Sequence, residues 1–148
     1  MTKAKVISVN VSEKKGVIKK PVQEIEINGK GVAKDAHAGD WHRQISLLAR
    51  ESIDKFKEVL GRPLDYGEFA ENITTEGITL YTMNPGDRLK IGDVELEVTQ
   101  IGKECHGAGC AIFTQVGKCV MPKEGIFAKV IHPGVIKPGD EIIHLPIH

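Results

Sequence analysis

Along most of the chain, apolar and polar residues alternate in short runs that end at turn residues, the pattern of half-buried β-strands. Lys5 to Val11 reads as a first strand. Val22 to Ile27 (VQEIEI) sets polar residues between Val22, Ile25 and Ile27, and the Asn28-Gly29 pair after it predicts a hairpin turn. Arg43 to Leu48 places Ile45 and Leu47 two apart, as a strand with one buried face does. Asn72 to Thr75 and Thr79 to Leu80 read as short strands, and Val94 to Val98 (VELEV) is the cleanest alternation. Ile126 to Ile131 is the predicted penultimate strand. Two Pro-Gly-Asp turns, at 85–87 and 138–140, each deliver the chain into an apolar run, since proline presets one turn angle and glycine supplies a positive φ.

One segment changes period. From Ala49 to Leu60 the residues Ile53, Phe56, Val59 and Leu60 recur at helical spacing, and Gly61 with Pro63 just beyond is a helix stop. A shorter helical turn is expected around Ala111 to Val116. Many short strands, frequent turns and one principal helix predict a mainly β fold, a β-barrel with helical decoration. At 148 residues the chain suits one domain, with no linker or low-complexity stretch.

Composition narrows the chemistry. Twenty basic residues balance twenty acidic ones, without the basic excess of a nucleic-acid or membrane-surface protein. No apolar run approaches the roughly 18–20 residues of a membrane span. The amino-terminal stretch lacks the apolar core of a secretory signal, so a cytoplasmic location is expected, with the three cysteines kept as free thiols.

Those thiols lie in the most unusual part of the chain, Val98 to Cys119, where a strand runs into Cys105-His106-Gly107-Ala108-Gly109-Cys110. Three readings compete. Cys119, between Lys118 and Val120, suits a small buried hydrophobe. A zinc site would draw on Cys105, His106, Cys110 and Cys119, but the spacing departs from zinc knuckles and adjacent Cys105 and His106 aim poorly at one ion. A reactive thiol is the third: Lys103 and His106 flank Cys105, nearby positive charge favours the thiolate, and Cys110 stands ready as a resolving thiol.

Longer motifs join these residues. Asp35 to Leu48 (DAHAGDWHRQISLL), Gly67 to Thr74 (GEFAENIT) with Gly77, the two Pro-Gly-Asp turns, and Gly125-Ile126-Phe127-Ala128 occur in an order that resembles the MOSC domain family, named for the C-terminal domain of molybdenum cofactor sulfurases, and specifically its single-domain bacterial members. The resemblance covers nearly the whole chain. It implies a β-barrel, binding of molybdenum cofactor (molybdopterin), and a cysteine after the Val98-Thr99-Gln100 strand that ligates molybdenum or carries sulfur as a persulfide. Pyridoxal phosphate binding is an association at family level only. Counting from the strand selects Cys105 as catalytic thiol and metal ligand; the Cys110-Ala111-Ile112-Phe113 context keeps Cys110 as the rival. The family's glycine before the aspartate falls here at Gly39-Asp40, and not at Asp35.

In this scheme Arg43 and Lys19 hold phosphate, with Lys14, Lys15 and Lys20 completing a possible rim; Asp40, His42 and Lys103 border the ligand; and Glu71 and Asn72 orient the pterin. His37 and His42 share the glycine-containing loop. Related members reduce N-hydroxylated substrates. This chain carries no flavin, nicotinamide or iron–sulfur fingerprint, so a reductase or sulfurtransferase role calls for a redox partner. The alternatives are a non-catalytic carrier serving a client molybdoenzyme and a small structural zinc domain. Substrate and oligomeric state are not legible.

Overall fold

The structure, a computed structural model, describes residues 4–14, 18–36, 38–61, 65–101 and 124–146. Strand β1 (Lys5–Val11) is followed by β2 (Lys20–Val22), β3 (Ile25–Asn28), β4 (Gly31–Val32) and β5 (Ile45–Ala49), then by helix α1 (Arg50–Leu60). Next come β6 (Ile73–Glu76), β7 (Arg88–Ile91), β8 (Val94–Ile101), β9 (Ile126–His132), β10 (Gly134–Ile136) and β11 (Ile142–Leu145). An eight-stranded sheet runs in the order β11-β7-β8-β9-β5-β6-β1-β2, and a three-stranded sheet in the order β10-β3-β4.

The two sheets enclose one aliphatic core. Ile25, Ile27 and Ile136 of the small sheet pack with Leu47, Leu89 and Leu96 of the large one. Each such side chain, once fully buried, contributes roughly 1.5–3 kcal/mol. No continuous ladder closes the large sheet among the described residues. Its ends meet instead at a seam, where Lys5 bridges Glu141 and three backbone bonds join Val6 N to Asp140 O, Gly139 N to Val6 O and Ile142 N to Ala4 O.

Strand β1 has the bounds its alternation predicts. Helix α1 begins one residue later than expected and ends at Gly61, whose φ of 68° is the left-handed cap that glycine adopts without a Cβ penalty. Of its apolar positions Ile53 is fully buried. The side chains of Phe56, Val59 and Leu60 lie outside the described residues. The Asn28-Gly29 turn joins β3 to β4 as read.

Four expectations change. The run Val22 to Ile27 is two strands, broken between Val22 and Ile25, because β2 pairs with β1 while β3 joins the other sheet. Thr79 to Leu80 is no strand; Leu80–Thr82 is a 3-10 turn. The penultimate strand is β10, since β9 is followed by a further pairing of 134–136 with β3. Finally, β5 is buried at all five residues and not on one face. It runs parallel to β6 and antiparallel to β9. A parallel pair needs a long crossover, and α1 supplies it, lying on β5 and β6.

The outer face of β7, β8 and β9 stays in water and carries a cross-strand ion ladder: Arg88 Nη1 is 2.6 Å from Glu95, and Lys129 Nζ is 3.4 Å from Glu97. No helix among the described residues is long and apolar enough to cross a membrane.

Because Leu47 is fully buried at the centre of the sheet, Leu47→Ala is expected to cost about 3 kcal/mol. A urea titration with unchanged slope and a lowered midpoint is the measurement.

Candidate functional site

The alternation that sends Ile45 and Leu47 into the core turns Gln44 and Ser46 to the opposite face. Gln44 uses its whole amide. Nε2 donates to Gly29 O (3.1 Å) and Gly39 O (2.9 Å), and Oε1 accepts from Val130 N (2.8 Å). These bonds fix the 39–44 loop against both sheets. Gly31 makes the approach possible: at φ 120°, a Cβ there would sit 2.7 Å from Gln44 O.

Arg43 stands on this anchored loop, half-buried. Its guanidinium carbon is 5.8 Å from the Trp41 ring centre and 5.6 Å from that of Phe127, within cation–π range of both. Arg43 Nε donates to Gln100 Oε1 at 3.2 Å, and the same oxygen lies 2.8 Å from His42 Nε2. An arginine nitrogen only donates, so this oxygen accepts from both and His42 carries a proton on Nε2. Thr99 Oγ1 bonds the His42 carbonyl. Among the described residues neither terminal nitrogen of Arg43 makes a hydrogen bond or ion pair.

Gln100 and Ile101 end β8, and there the chain enters its cysteine segment. Ile101 pairs with Ile126, so both ends of that segment are held side by side. Glu124 adds a tie to α1, accepting from Ser52 Oγ (2.7 Å) and Lys55 Nζ (2.9 Å). Cys105, Cys110 and Cys119 lie outside the described residues, as do Lys103, His106, His37, Lys15 and the helical turn expected at 111–116. Among the described residues no group of three or more His, Cys, Asp or Glu could hold a metal ion.

A buried polar layer crosses the outer face of β1, β6 and β5. Asn72 Oδ1 accepts from Ser46 N (3.0 Å) and Ser46 Oγ (3.2 Å), while its Nδ2 donates to Asn10 O (3.3 Å). Asn10 Nδ2 in turn donates to Glu71 O and Thr74 Oγ1, both at 3.1 Å. Glu71 Oε2 accepts from Gly67 N (3.0 Å) and Thr74 Oγ1 (2.8 Å), and Oε1 has no hydrogen-bond partner. Burial pushes the Glu71 carboxyl up to about 7, against the opposing pull of the Gly67 and Thr74 bonds. Glu71 and Asn72, read from sequence as orienting the pterin, are both fully buried here and bonded inward.

Lys19 is also placed differently from a surface phosphate rim. Its side chain is fully buried, with Nζ 2.8 Å and 3.1 Å from the two Asp35 oxygens and 3.0 Å from Ser12 Oγ. Burial alone would raise the Asp35 carboxyl, but the Lys19 hydrogen bond and charge, with Ser12 N (2.9 Å), outweigh it and hold the group below its ordinary value. Lys14 and Lys20, by contrast, are exposed. Asp40 is an exposed loop residue 3.8 Å from Lys30 Nζ, a surface pair of little energetic weight.

Of the residues singled out by sequence, the structure brings Arg43 and His42 together. It adds Trp41, Gln100 and Phe127, which sequence reading passed over. Trp41 carried one signal, as the sole tryptophan of the chain. Gln100 carried none, being 57 residues from Arg43.

Comparison with known proteins agrees with this architecture. Residues 34–143 match the MOSC domain family. The fold superposes on the YuaD protein of Bacillus subtilis with a TM-score of 0.79 at 19% identity, covering 99% of this chain and 98% of that one. YiiM from Geobacillus stearothermophilus gives 0.76 at 24% identity over 96% of this chain and 75% of its own. YiiM from Escherichia coli gives 0.70 at 18% identity over 100% and 72%. At these identities the likeness concerns the fold. No curated protein matches the chain.

Two outcomes follow from the buried pair. Lys19→Met strands the Asp35 carboxylate and is expected to cost about 3–5 kcal/mol at neutral pH, with Lys19→Met/Asp35→Leu recovering much of it. The folded-state value of Asp35 is depressed, so the pair's contribution is present above the unfolded value of 3.8 and is lost as pH falls through the folded one. Denaturant titrations should thus show the single-variant deficit shrinking in strong acid. Separately, Gly67→Ala places a Cβ 2.3 Å from Lys19 O at φ 93°, and is expected to lower the melting temperature by several degrees.

Proposed function

Since the chain belongs to the MOSC domain family, we propose that it binds molybdenum cofactor, or a sulfur-bearing precursor, through an arginine-held phosphate and a cysteine thiolate. Arg43 is the observation that carries this reading. A guanidinium held against two aromatic rings, and bonded through Nε alone among the described residues, offers its terminal fork for two parallel bonds to a phosphate. The donor set therefore fits the phosphate end of molybdopterin. His42 and Gln100 fix the fork's direction, and Trp41 offers an aromatic face beside it.

Cys105 follows shortly after the strand that ends at Gln100 and Ile101. A thiolate is a soft donor suited to a soft metal or to sulfane sulfur, and Lys103 and His106 would favour that charge state. When bound, the cofactor supplies two-electron redox chemistry for reduction of N-hydroxylated substrates. The chain's own residues hold it: Arg43 the phosphate, Cys105 the metal or sulfur. Asn72 contributes from beneath, by locking the start of β5 close to Arg43. Electrons would come from a partner reductase in the same cytoplasmic compartment, where the thiols stay reduced.

The test uses protein co-produced with the cofactor pathway and assayed for molybdenum and pterin. Cys105→Ala is expected to lose molybdenum and Cys110→Ala to keep it. Arg43→Ala should weaken cofactor retention by roughly tenfold or more, with Arg43→Lys restoring only part. Wild-type molybdenum content in Cys105→Ala sinks the assignment of Cys105; loss in Cys110→Ala alone transfers it to Cys110. Cofactor binding without reduction of a hydroxylamine-type substrate identifies a carrier for a client molybdoenzyme.

A further inference from the structure

Glu71 is a fully buried carboxyl without a counter-ion. The charged and titratable groups on the elements packed around it are committed elsewhere. Lys19 is paired with Asp35, and Lys20 is exposed. On the 65–69 loop, Glu68 Oε2 accepts from Asp65 N at 2.8 Å, and Tyr66 faces a cleft with Arg50 and Glu76. On β6, Glu76 is joined to Arg50 (2.7 Å) and Lys5 (3.5 Å). From β1 the neighbours are the uncharged Ser8 and Asn10, whose hydroxyl and amide are bonded to each other at 2.7 Å. None of these charged groups bonds the Glu71 carboxyl, which meets only the uncharged donors Gly67 N and Thr74 Oγ1 and the nearby amides of Phe69 and Glu71 itself, and among the described residues Oε1 lacks a well-formed hydrogen bond. Burial without a cation disfavours the ionised form, so below neutrality the closed loop holds the neutral acid.

We propose that Glu71 is a protonation-operated latch on the 65–72 loop, closed while its carboxyl is neutral and released when it ionises. The loop is loaded for release. Ala70, a residue with a Cβ, is held at φ 65°, and Gly67 at φ 93° leaves no room for a Cβ beside the Lys19 carbonyl. The latch also bears on neighbouring strands, because Asn10 Nδ2 donates to the Glu71 carbonyl and the adjacent Asn72 ties down Ser46. None of this depends on the cofactor reading.

The direction of the pH effect follows from the carboxyl's elevation from 4.5 to about 7. A group raised in the folded state contributes stability that is complete below its unfolded value and lost as pH rises through the folded one. Wild type and Glu71→Gln, compared by urea unfolding, isolate this group from the histidines. The ratio of their folding constants is expected to fall by roughly 30-fold between about pH 5.5 and about pH 8. The protection factor of the Gly67 amide, the donor to Oε2, should fall over the same range in wild type and stay constant in Glu71→Gln, once the base-catalysed rise in intrinsic exchange is divided out. Parallel stability profiles overturn the proposal. So does a Gly67 protection factor that stays unchanged while Glu71 ionises, since the charge would then sit in a closed loop. Should the variant not fold, carboxyl-carbon NMR titration of wild type decides: a midpoint near neutral with loss of Gly67 protection supports the latch, and a midpoint in the ordinary glutamate range rules it out.

Discussion

Everything distinctive in this molecule depends on β5 being covered on both faces. Its inward residues join the aliphatic core, as in any sheet over a core. Its outward residues are covered by α1 and by a layer of hydrogen-bonded polar side chains. A polar group under such cover costs free energy unless it is paired, so the layer has to be nearly complete. It is: Ser46, Asn72, Asn10 and Thr74 interlock across three strands, and every atom of the Asn72 amide has a partner. The arrangement fixes where β5 begins. The strand's start in turn fixes Gln44 and Arg43, so the candidate site is built on rigid backbone although it stands on a loop.

The same cover explains which residues were legible from sequence. Alternation reports one buried face, and it located β8 well because the other face of that strand stays partly in water. It undercounted the burial of β5, because the second cover comes from an element that only the fold brings near. Lys19 illustrates the limit more sharply. A lysine among lysines near the amino terminus reads as solvated, and its ion-pair partner is 16 residues away behind a turn. Glu71 and Asn72 drew attention through their motif, and the fold buries both in a hydrogen-bonded layer that alternation does not report. Arg43 was legible in kind, and its two aromatic neighbours were not, since Phe127 reaches it only through the β5–β9 register.

Two buried ionisable sites illustrate opposite solutions to one problem. Lys19 and Asp35 keep their charges by neutralising each other with full hydrogen bonding, a solution that needs both partners. Glu71 has no cation partner among the described residues, and burial raises its carboxyl instead. The first makes the 18–20 segment insensitive to pH near neutrality. The second concentrates sensitivity in one side chain beneath the loop that Gly67 begins.

The seam between β1 and the approach to β11 has a bearing on how the molecule behaves among its own copies. An uncovered strand edge invites another chain to add to the sheet. Here the outer edge of β1 is divided between two covers: the 139–142 segment meets its first half, and β2 pairs with Val9, Asn10 and Val11. The edge thereby passes to β2, which is three residues long and carries Pro21 at its centre. Proline offers no amide to a newcomer and fits an edge without loss to the ladder behind it. A sheet that does not close by a continuous ladder is thus shielded along this border against templated strand addition, by one ring in the backbone of its shortest outer strand.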